Sequence, residues 1–241
     1  MKDKGFRDNY QYIFAQDGLY GGDQNMPKQE PERYKEIVRR YYKDYTDEQI
    51  VERLNLLSTE GCGYVALVNS IFLRFYGQEE QFRSAFGLPM YDAKGKLNFN
   101  DLIVDFYCAT DNHNRFLCLD YLDKKEDATY PNGKGTNIDN SKWRFERYLK
   151  KHGITAKLKP IELETEDIEK HLDKGPIIVS IRPTTLYNKE GNIIHDAEGG
   201  HTMSVLSACD DGLVKVASWG GEYYIKHGSY AEYEYYQQVI F

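Results

Sequence analysis

A cysteine between two glycines opens an apolar, helix-like stretch of the chain. In EGCGYVALVNSIF the cysteine is Cys62, flanked by Gly61 and Gly63. A thiol at a helix N-terminus lies near the positive end of the helix dipole and near unpaired backbone N–H groups, and both favour the thiolate. The glycines let a substrate backbone approach closely. The segment predicts a nucleophilic cysteine, with Gly61 and Gly63 lining a cleft; local sequence alone leaves a buried structural cysteine as the alternative.

A histidine that also lies next to glycines is found in the C-terminal half. In EGGHTMSV, His201 follows Gly200 at the predicted start of a strand. An imidazole in that place can face a cleft and act as a general base, and Gly200 would line the same cleft. Among the other histidines His195, in the same loop, is the rival, and we rank it below His201.

The remaining cysteines indicate neither a metal site nor redox chemistry. The four cysteines are at positions 62, 108, 118 and 209, and no pair has CxxC spacing. They are also too few for a disulfide framework in a chain of this length. We therefore predict no metal and no cofactor.

The elements that must position these residues follow from periodicity. Helical spacing predicts helices over 32–57 (broken at YTDEQI, with Thr46 as cap), 63–76, 79–86, 100–110, 141–153 and 165–175. Alternation then predicts strands at 176–181, 201–209, 213–218, 222–226 and 235–241, with turns at DDG (210–212) and GG (220–221). Helices followed by a meander of strands predict an α+β fold.

Taken together, the cysteine and histidine segments resemble the papain-like cysteine peptidases. The resemblance rests on EGCGYVALVNSIF, GGHTMSVLSACDDG and VKVASWGGEYYI, in the expected order. These blocks are most similar to the bacterial branch that processes bacteriocins with double-glycine leaders. The middle of the chain, about 78–175, matches no motif of the family.

The resemblance implies both a fold and a reaction. It implies an N-terminal helical part whose central helix carries the nucleophile and packs on a C-terminal antiparallel sheet. Cys62 would be the nucleophile, His201 its base, and Trp219 the cover over the histidine. The reaction would be hydrolysis of an amide bond in a peptide or protein through an acyl-enzyme.

One departure from the family concerns the third catalytic residue. The family has an Asn or Asp two residues before the tryptophan, where it orients the histidine. Here that position is Ala217, followed by Ser218. A two-residue turn at 210–211 places Ser218 on the face of His201, whereas a three-residue turn places Ala217 there. The third member is therefore Ser218, as a weak orienter, or is absent.

A second departure concerns the oxyanion donor. The family usually has a Gln about six residues before the cysteine, and Leu56 occupies that place. Asn55 is the nearest amide, Ser58 or Thr59 could serve instead, and the backbone N–H of Cys62 would be the other donor.

Composition and charge limit the classes of protein to which the chain can belong. With 41% hydrophobic and 29% charged residues the chain has a globular balance, and a net charge of −7 argues against nucleic-acid binding. No apolar run reaches the length of a membrane span, and MKDKGFRDNY lacks the core of a signal peptide. We expect a polar arm at 1–31 and one peptidase domain at 32–241. A cytoplasmic location and export within a larger system both stay open.

Two alternatives keep the same fold. A delivered bacterial toxin or effector domain would use the same chemistry for proteolysis, deamidation or transglutamination, and would have an inhibitor or immunity protein as partner. A catalytically inactive binding module is favoured by the missing Asn or Asp and disfavoured by the retention of both Cys62 and His201.

Overall fold

The computed structural model describes residues 10, 13–14, 20–110, 138–209 and 212–241. Cys118 and the predicted turn residues 210–211 lie outside the described residues.

The seven predicted helices are confirmed near their predicted positions, and the described residues contain one further short helix, Met26–Gln29, within the segment expected to be a polar arm. The helices of the described residues are α1 (Met26–Gln29), α2 (Pro31–Tyr41), α3 (Asp47–Glu60), α4 (Cys62–Phe75), α5 (Glu79–Phe86), α6 (Phe99–Thr110), α7 (Ile138–Lys151) and α8 (Ile168–Leu172). The predicted cap of α3 is present, because the Thr46 hydroxyl accepts from the Gln49 N–H and the Gln49 side chain accepts in return. α7 begins before the predicted start at 141.

The strands form one antiparallel sheet in the order β1-β8-β2-β5-β6-β7-β3-β4. They are β1 (Lys157–Ile161), β2 (Ile177–Arg182), β3 (Thr184–Tyr187), β4 (Ile193–Ala197), β5 (His201–Ala208), β6 (Leu213–Ser218), β7 (Gly221–Lys226) and β8 (Tyr233–Ile240). The α+β class is thus confirmed. The sequence missed β1, β3 and β4, of which β1 and β4 are the sheet edges and carry mostly exposed or half-buried side chains.

A sharp bend between α3 and α4 sets the start of the cysteine helix. The two helix axes are 83° apart, and Gly61 is the residue between them. A Cβ on Gly61 would lie 2.4 Å from the Leu57 carbonyl oxygen, so no larger residue fits there. No single helix of the described residues is long and apolar enough to cross a membrane.

Asn69, in the middle of α4, joins three parts of the fold. Its Oδ1 accepts from the Gly22 N–H at 3.0 Å, and its Nδ2 donates to the Ser204 hydroxyl of β5 at 3.2 Å. The approach is close because Gly21 has a φ of +80°, and a Cβ there would lie 2.5 Å from Asn69 Nδ2. Asn69 is fully buried. It therefore anchors α4 both to the sheet and to the N-terminal segment.

Residues 20–24, here named the N-terminal strap, run from the sheet to the helices. The Tyr20 N–H donates to the Gly220 carbonyl at 2.9 Å, and the Gly220 N–H donates to the Gly22 carbonyl at 3.1 Å. At the other end the Asp23 N–H donates to Asn100 Oδ1 in α6 at 3.0 Å. Within the segment expected to be a polar arm, Tyr10, Ile13 and Phe14 are also buried in the core.

We expect Asn69→Ala to lower the free energy of unfolding by about 2–4 kcal/mol, because it leaves the buried Gly22 N–H without its acceptor and removes the bond to Ser204. Ser70→Ala is the matched control: Ser70 is equally buried, but its hydroxyl bonds only the Ala66 carbonyl of its own helix. It should cost no more than about 1 kcal/mol. Urea unfolding measures both, and equal losses would contradict the anchoring role of Asn69.

Candidate active site

Cys62 is the first residue of α4 and is half-buried. Its sulfur interacts with the backbone N–H and the hydroxyl of Thr202, the second residue of β5, and with the Gly63 N–H. Burial raises the pKa of the thiol, and the Thr202 contacts, followed by the local backbone N–H groups, oppose that rise only in part. The net effect is opposite to the depression expected from the helix N-terminus alone, because desolvation of the charged form exceeds the dipole effect.

His201 is the first residue of β5 and is 6% exposed. Its Nε2 lies 2.5 Å from the Ser218 hydroxyl oxygen, which leaves Nδ1 as the other ring nitrogen. Burial lowers the pKa of the imidazole to about 3, with a smaller contribution from repulsion by His195. The ring is therefore neutral near pH 7.

The segments that carry Cys62 and His201 meet at Thr202, but the thiol and the imidazole are not hydrogen-bonded to each other. The N–H that the sulfur contacts belongs to Thr202, which follows His201 directly. Among the described residues, no hydrogen bond joins Cys62 to the His201 ring, whose Nε2 is directed to Ser218 instead. The sequence-based expectation of a direct thiol–imidazole contact stays a prediction.

The hairpin that brings Ser218 to His201 changes register within its length. The Cys209 N–H donates to the Leu213 carbonyl at 2.8 Å, so that three residues separate this pair. A β-bulge between Val205 and Ser207 then shifts the pairing of β5 with β6 by one residue. The shift reverses which side chains of β6 share a face with those of β5.

The bulge decides the identity of the third residue. Ala217 pairs with Ser204, whose hydroxyl contacts α4. In the same register Ser218 lies opposite Met203, on the face that His201 shares. The loop therefore has the longer of the two predicted lengths, yet the side chain at the histidine is the one predicted for the shorter loop. The three-residue turn thus gives the loop length correctly, and the two-residue turn gives correctly the residue that faces His201.

Trp219 has a backbone conformation that is uncommon for a large residue. Its φ is +47° and that of Gly220 is +70°, as a two-residue turn between β6 and β7 requires. This turn lies one residue before the predicted one. The indole stacks on His201 with ring centroids 4.3 Å apart and also contacts His195 and Tyr223. Such strain persists only where surrounding contacts hold it, and it is typical of functional sites.

The predicted cleft glycines have different surroundings. Gly63 is buried and its N–H approaches the sulfur of Cys62. Gly200 is exposed, yet a Cβ there would lie 2.1 Å from the Tyr233 hydroxyl oxygen. A side chain at position 200 would therefore have to displace the Tyr233 ring.

A buried amide residue that sequence reasoning missed lies beside Gly61, the residue before the cysteine. Gln24 of the N-terminal strap is 6% exposed, and its Nε2 donates to the Ser58 carbonyl at 2.8 Å. A Cβ added to Gly61 would lie 3.3 Å from the Gln24 Cβ. Asn55, the predicted oxyanion donor, is exposed on α3. The only sequence signal for this close approach was the glycine pair before Gln24. Gln24 is too far from Cys62 in sequence for that signal to indicate a shared site.

Comparisons with known proteins return nothing for this chain. No family model, no curated protein and no solved structure matches it. Nor does any group of three His, Cys, Asp or Glu side chains within the described ranges have an arrangement that could hold a metal ion.

The low pKa of His201 predicts a pH-dependent stability. Between its ordinary pKa of 6.5 and about 3, the unfolded chain binds a proton at His201 that the native state does not. The free energy of unfolding should therefore fall as the pH drops through this window, by up to about 1.4 kcal/mol per pH unit from this residue. Urea unfolding at pH 4–8 should show a steeper fall for the wild type than for His201→Gln. Parallel curves would show that the native imidazole has the same pKa as in the unfolded chain and would contradict the effect of burial.

Proposed function

We propose that the chain is a cysteine-dependent hydrolase of papain-like design, which cleaves an amide bond in a peptide or protein through an acyl-enzyme. Cys62 is the nucleophile and His201 the base. One observation carries the proposal: the sulfur at the start of α4 lies near enough to the Thr202 N–H, immediately beyond His201 on β5, for that N–H to favour the thiolate. Catalytic contacts are often incomplete before substrate binds. To complete the pair, the His201 side chain must rotate from the face of β5 that it shares with Ser218 toward the edge where α4 begins.

The electrostatics favour proton transfer during attack over a preformed ion pair. Burial holds the pKa of the Cys62 thiol above its ordinary range and that of the His201 imidazole well below its own. Both groups are then neutral at rest. As the sulfur attacks the carbonyl carbon, the thiol proton passes to His201 Nδ1, and the imidazolium then protonates the departing amine. Water, activated by the neutral imidazole, hydrolyses the thioester and releases Cys62.

Ser218 and Trp219 orient the base in this mechanism. With Nδ1 as the proton acceptor, Nε2 carries the hydrogen and donates it to the Ser218 oxygen. The stacked Trp219 ring covers this bond, and a hydrogen bond shielded from water is stronger. Ser218 is thus a positioning residue that fixes the tautomer of His201.

Gln24 replaces Asn55 in the proposed oxyanion site. The Cys62 N–H is one of the N-terminal donors of α4 that has no partner within the helix. The Gln24 Cβ lies next to Gly61, the residue before the same helix start. One of the two Gln24 amide N–H groups is engaged by the Ser58 carbonyl, which leaves the second for a developing oxyanion.

The inactive binding module is the second candidate, and the electrostatics of the site favour it. A thiol with a raised pKa, an imidazole with a pKa of about 3 and the lack of a bond between them describe a resting site without an ion pair. The toxin or effector alternative stays a prediction from the sequence.

Alkylation by iodoacetamide at pH 6–9, followed by peptide mapping, tests the proposal. We expect Cys62 to react several times faster than Cys209, which is similarly half-buried and serves as an internal control. His201→Ala should slow the reaction of Cys62 and leave that of Cys209 unchanged, because the proposal assigns His201 as the base of Cys62 alone.

Turnover of a pool of internally quenched peptides completes this test. Cys62→Ala should abolish cleavage, since no other group can form the thioester. If Cys62 reacts no faster than Cys209, is indifferent to His201→Ala and supports no cleavage, the inactive module replaces the proposal.

Ser218→Ala should lower kcat/KM by no more than about tenfold, because a neutral hydroxyl contributes only about 1 kcal/mol as a hydrogen-bond partner. Gln24→Ala is the comparison, and we expect a loss of about a hundredfold or more if its amide supports the oxyanion. Steady-state kinetics on the cleaved peptides measure both. A thousandfold loss in Ser218→Ala with the fold intact would make the serine a full partner of His201 and contradict its weak orienting role.

A further inference from the structure

We propose that the hydroxyls of Thr202 and Ser180 form a chain of hydrogen-bond donors that ends on the Cys62 sulfur and stabilises its thiolate. Thr202 is then a positioning residue for the nucleophile, supported by Ser180. This inference rests on the proposed function in one respect, namely that Cys62 is the nucleophile, whose sulfur gains negative charge as its proton leaves. The sequence analysis assigned no role to either hydroxyl.

The two hydroxyls meet as a cross-strand pair. Ser180 of β2 pairs with Thr202 of β5, and their side-chain oxygens are 2.9 Å apart. Side chains of directly paired residues project from the same face of a sheet. Two residues along β5, on that same face, the Ser204 hydroxyl contacts the Ala66 carbonyl of α4. The hydroxyl pair therefore lies under the N-terminal half of the cysteine helix.

The donors and acceptors available on each hydroxyl set the direction of this chain of hydrogen bonds. A hydroxyl has one hydrogen and two lone pairs, so Thr202 can donate to the sulfur while it accepts from Ser180. The thiolate is acceptor-only, and the Thr202 hydroxyl interacts with it in the sense that favours the charged form. The Thr202 N–H approaches the same sulfur. Two donors from one residue and a third hydroxyl behind them thus oppose the cost of burying a charge.

The nearby titratable groups do not replace this support. The Glu60 carboxylate, at the end of α3, accepts from the Tyr107 hydroxyl at 2.7 Å and would oppose the thiolate. His201 is neutral because of burial, and His195 on β4 contacts Trp219. Asp23 of the N-terminal strap is a further carboxylate. Neutral donors are therefore the means by which this site can favour a thiolate.

The test is the pH dependence of iodoacetamide alkylation at Cys62, which reports the kinetic pKa of the thiol without any substrate. Thr202→Val removes the hydroxyl at nearly constant shape, and we expect the rate at pH 7 to fall about tenfold as the profile moves about one unit to higher pH. Thr202→Ser should restore the wild-type profile, and Ser180→Ala should lower the rate about threefold.

Thr185→Val is the matched control. It removes a hydroxyl from the same sheet, but that hydroxyl bonds Asp196 on β4 and not the site. It should leave the profile unchanged, whereas a purely structural role of Thr202 would change stability without moving the profile. A Thr202→Val profile within twofold of wild type overturns the inference. If Thr202→Val fails to fold, an unchanged Ser180→Ala profile does so.

Failure of this inference and failure of the proposed function are distinguishable. The alkylation profile depends on the thiol alone, while peptide cleavage by the wild type depends on the whole site. Cleavage without any effect of the hydroxyl variants would leave the hydrolase and remove the donor chain. A moved profile without cleavage would keep the donor chain and remove the hydrolase.

Discussion

The contact between the N-terminus of α4 and the start of β5 is the constraint on which the site depends. It places the Cys62 sulfur against Thr202 and therefore beside the backbone of His201. Two features maintain it. Gly61 allows the 83° bend that starts α4 at this point, and Asn69 bonds the helix to Ser204 two turns later. Because α4 is buried on nearly every side, it has no freedom to move away from the sheet.

Burial at this contact creates a conflict that the site must resolve. A reactive thiol requires some access to its charged form, yet the same packing that positions it removes the water that would solvate that charge. Neutral donors oppose this cost at the sulfur: the backbone N–H groups and the Thr202 hydroxyl. The uncommon backbone of Trp219 belongs to the same solution, because the indole closes the site over His201 at the cost of a strained turn.

The N-terminal strap shows that the site is not confined to two motifs. Through Tyr20 and Gly22 it is bonded to the turn that carries Trp219, and through Gln24 to the last turn of α3. A change in the strap would therefore act on both walls of the site at once. This arrangement gives a physical reason for an N-terminal segment with glycines and short polar residues: the backbone itself must approach Asn69 and Gly220 closely.

The sequence by itself determined the elements whose signals are local. The capping box at Thr46, the apolar stretch after Cys62 and the alternation after His201 each depend on neighbours a few residues away, so the α+β class, the start of α4 and the start of β5 were predictable. The edge strands β1 and β4 were not, because exposed side chains give no alternation to detect.

Only the tertiary structure decided the chemistry around those starts. The β-bulge before Ser207 turns Ser218 and not Ala217 to His201, and such a shift depends on pairing across the whole hairpin. The nearness of Gln24 to Gly61 is a contact between segments far apart in sequence. The direction of both pKa shifts is a matter of burial, which arises only when helix, sheet and strap are packed together.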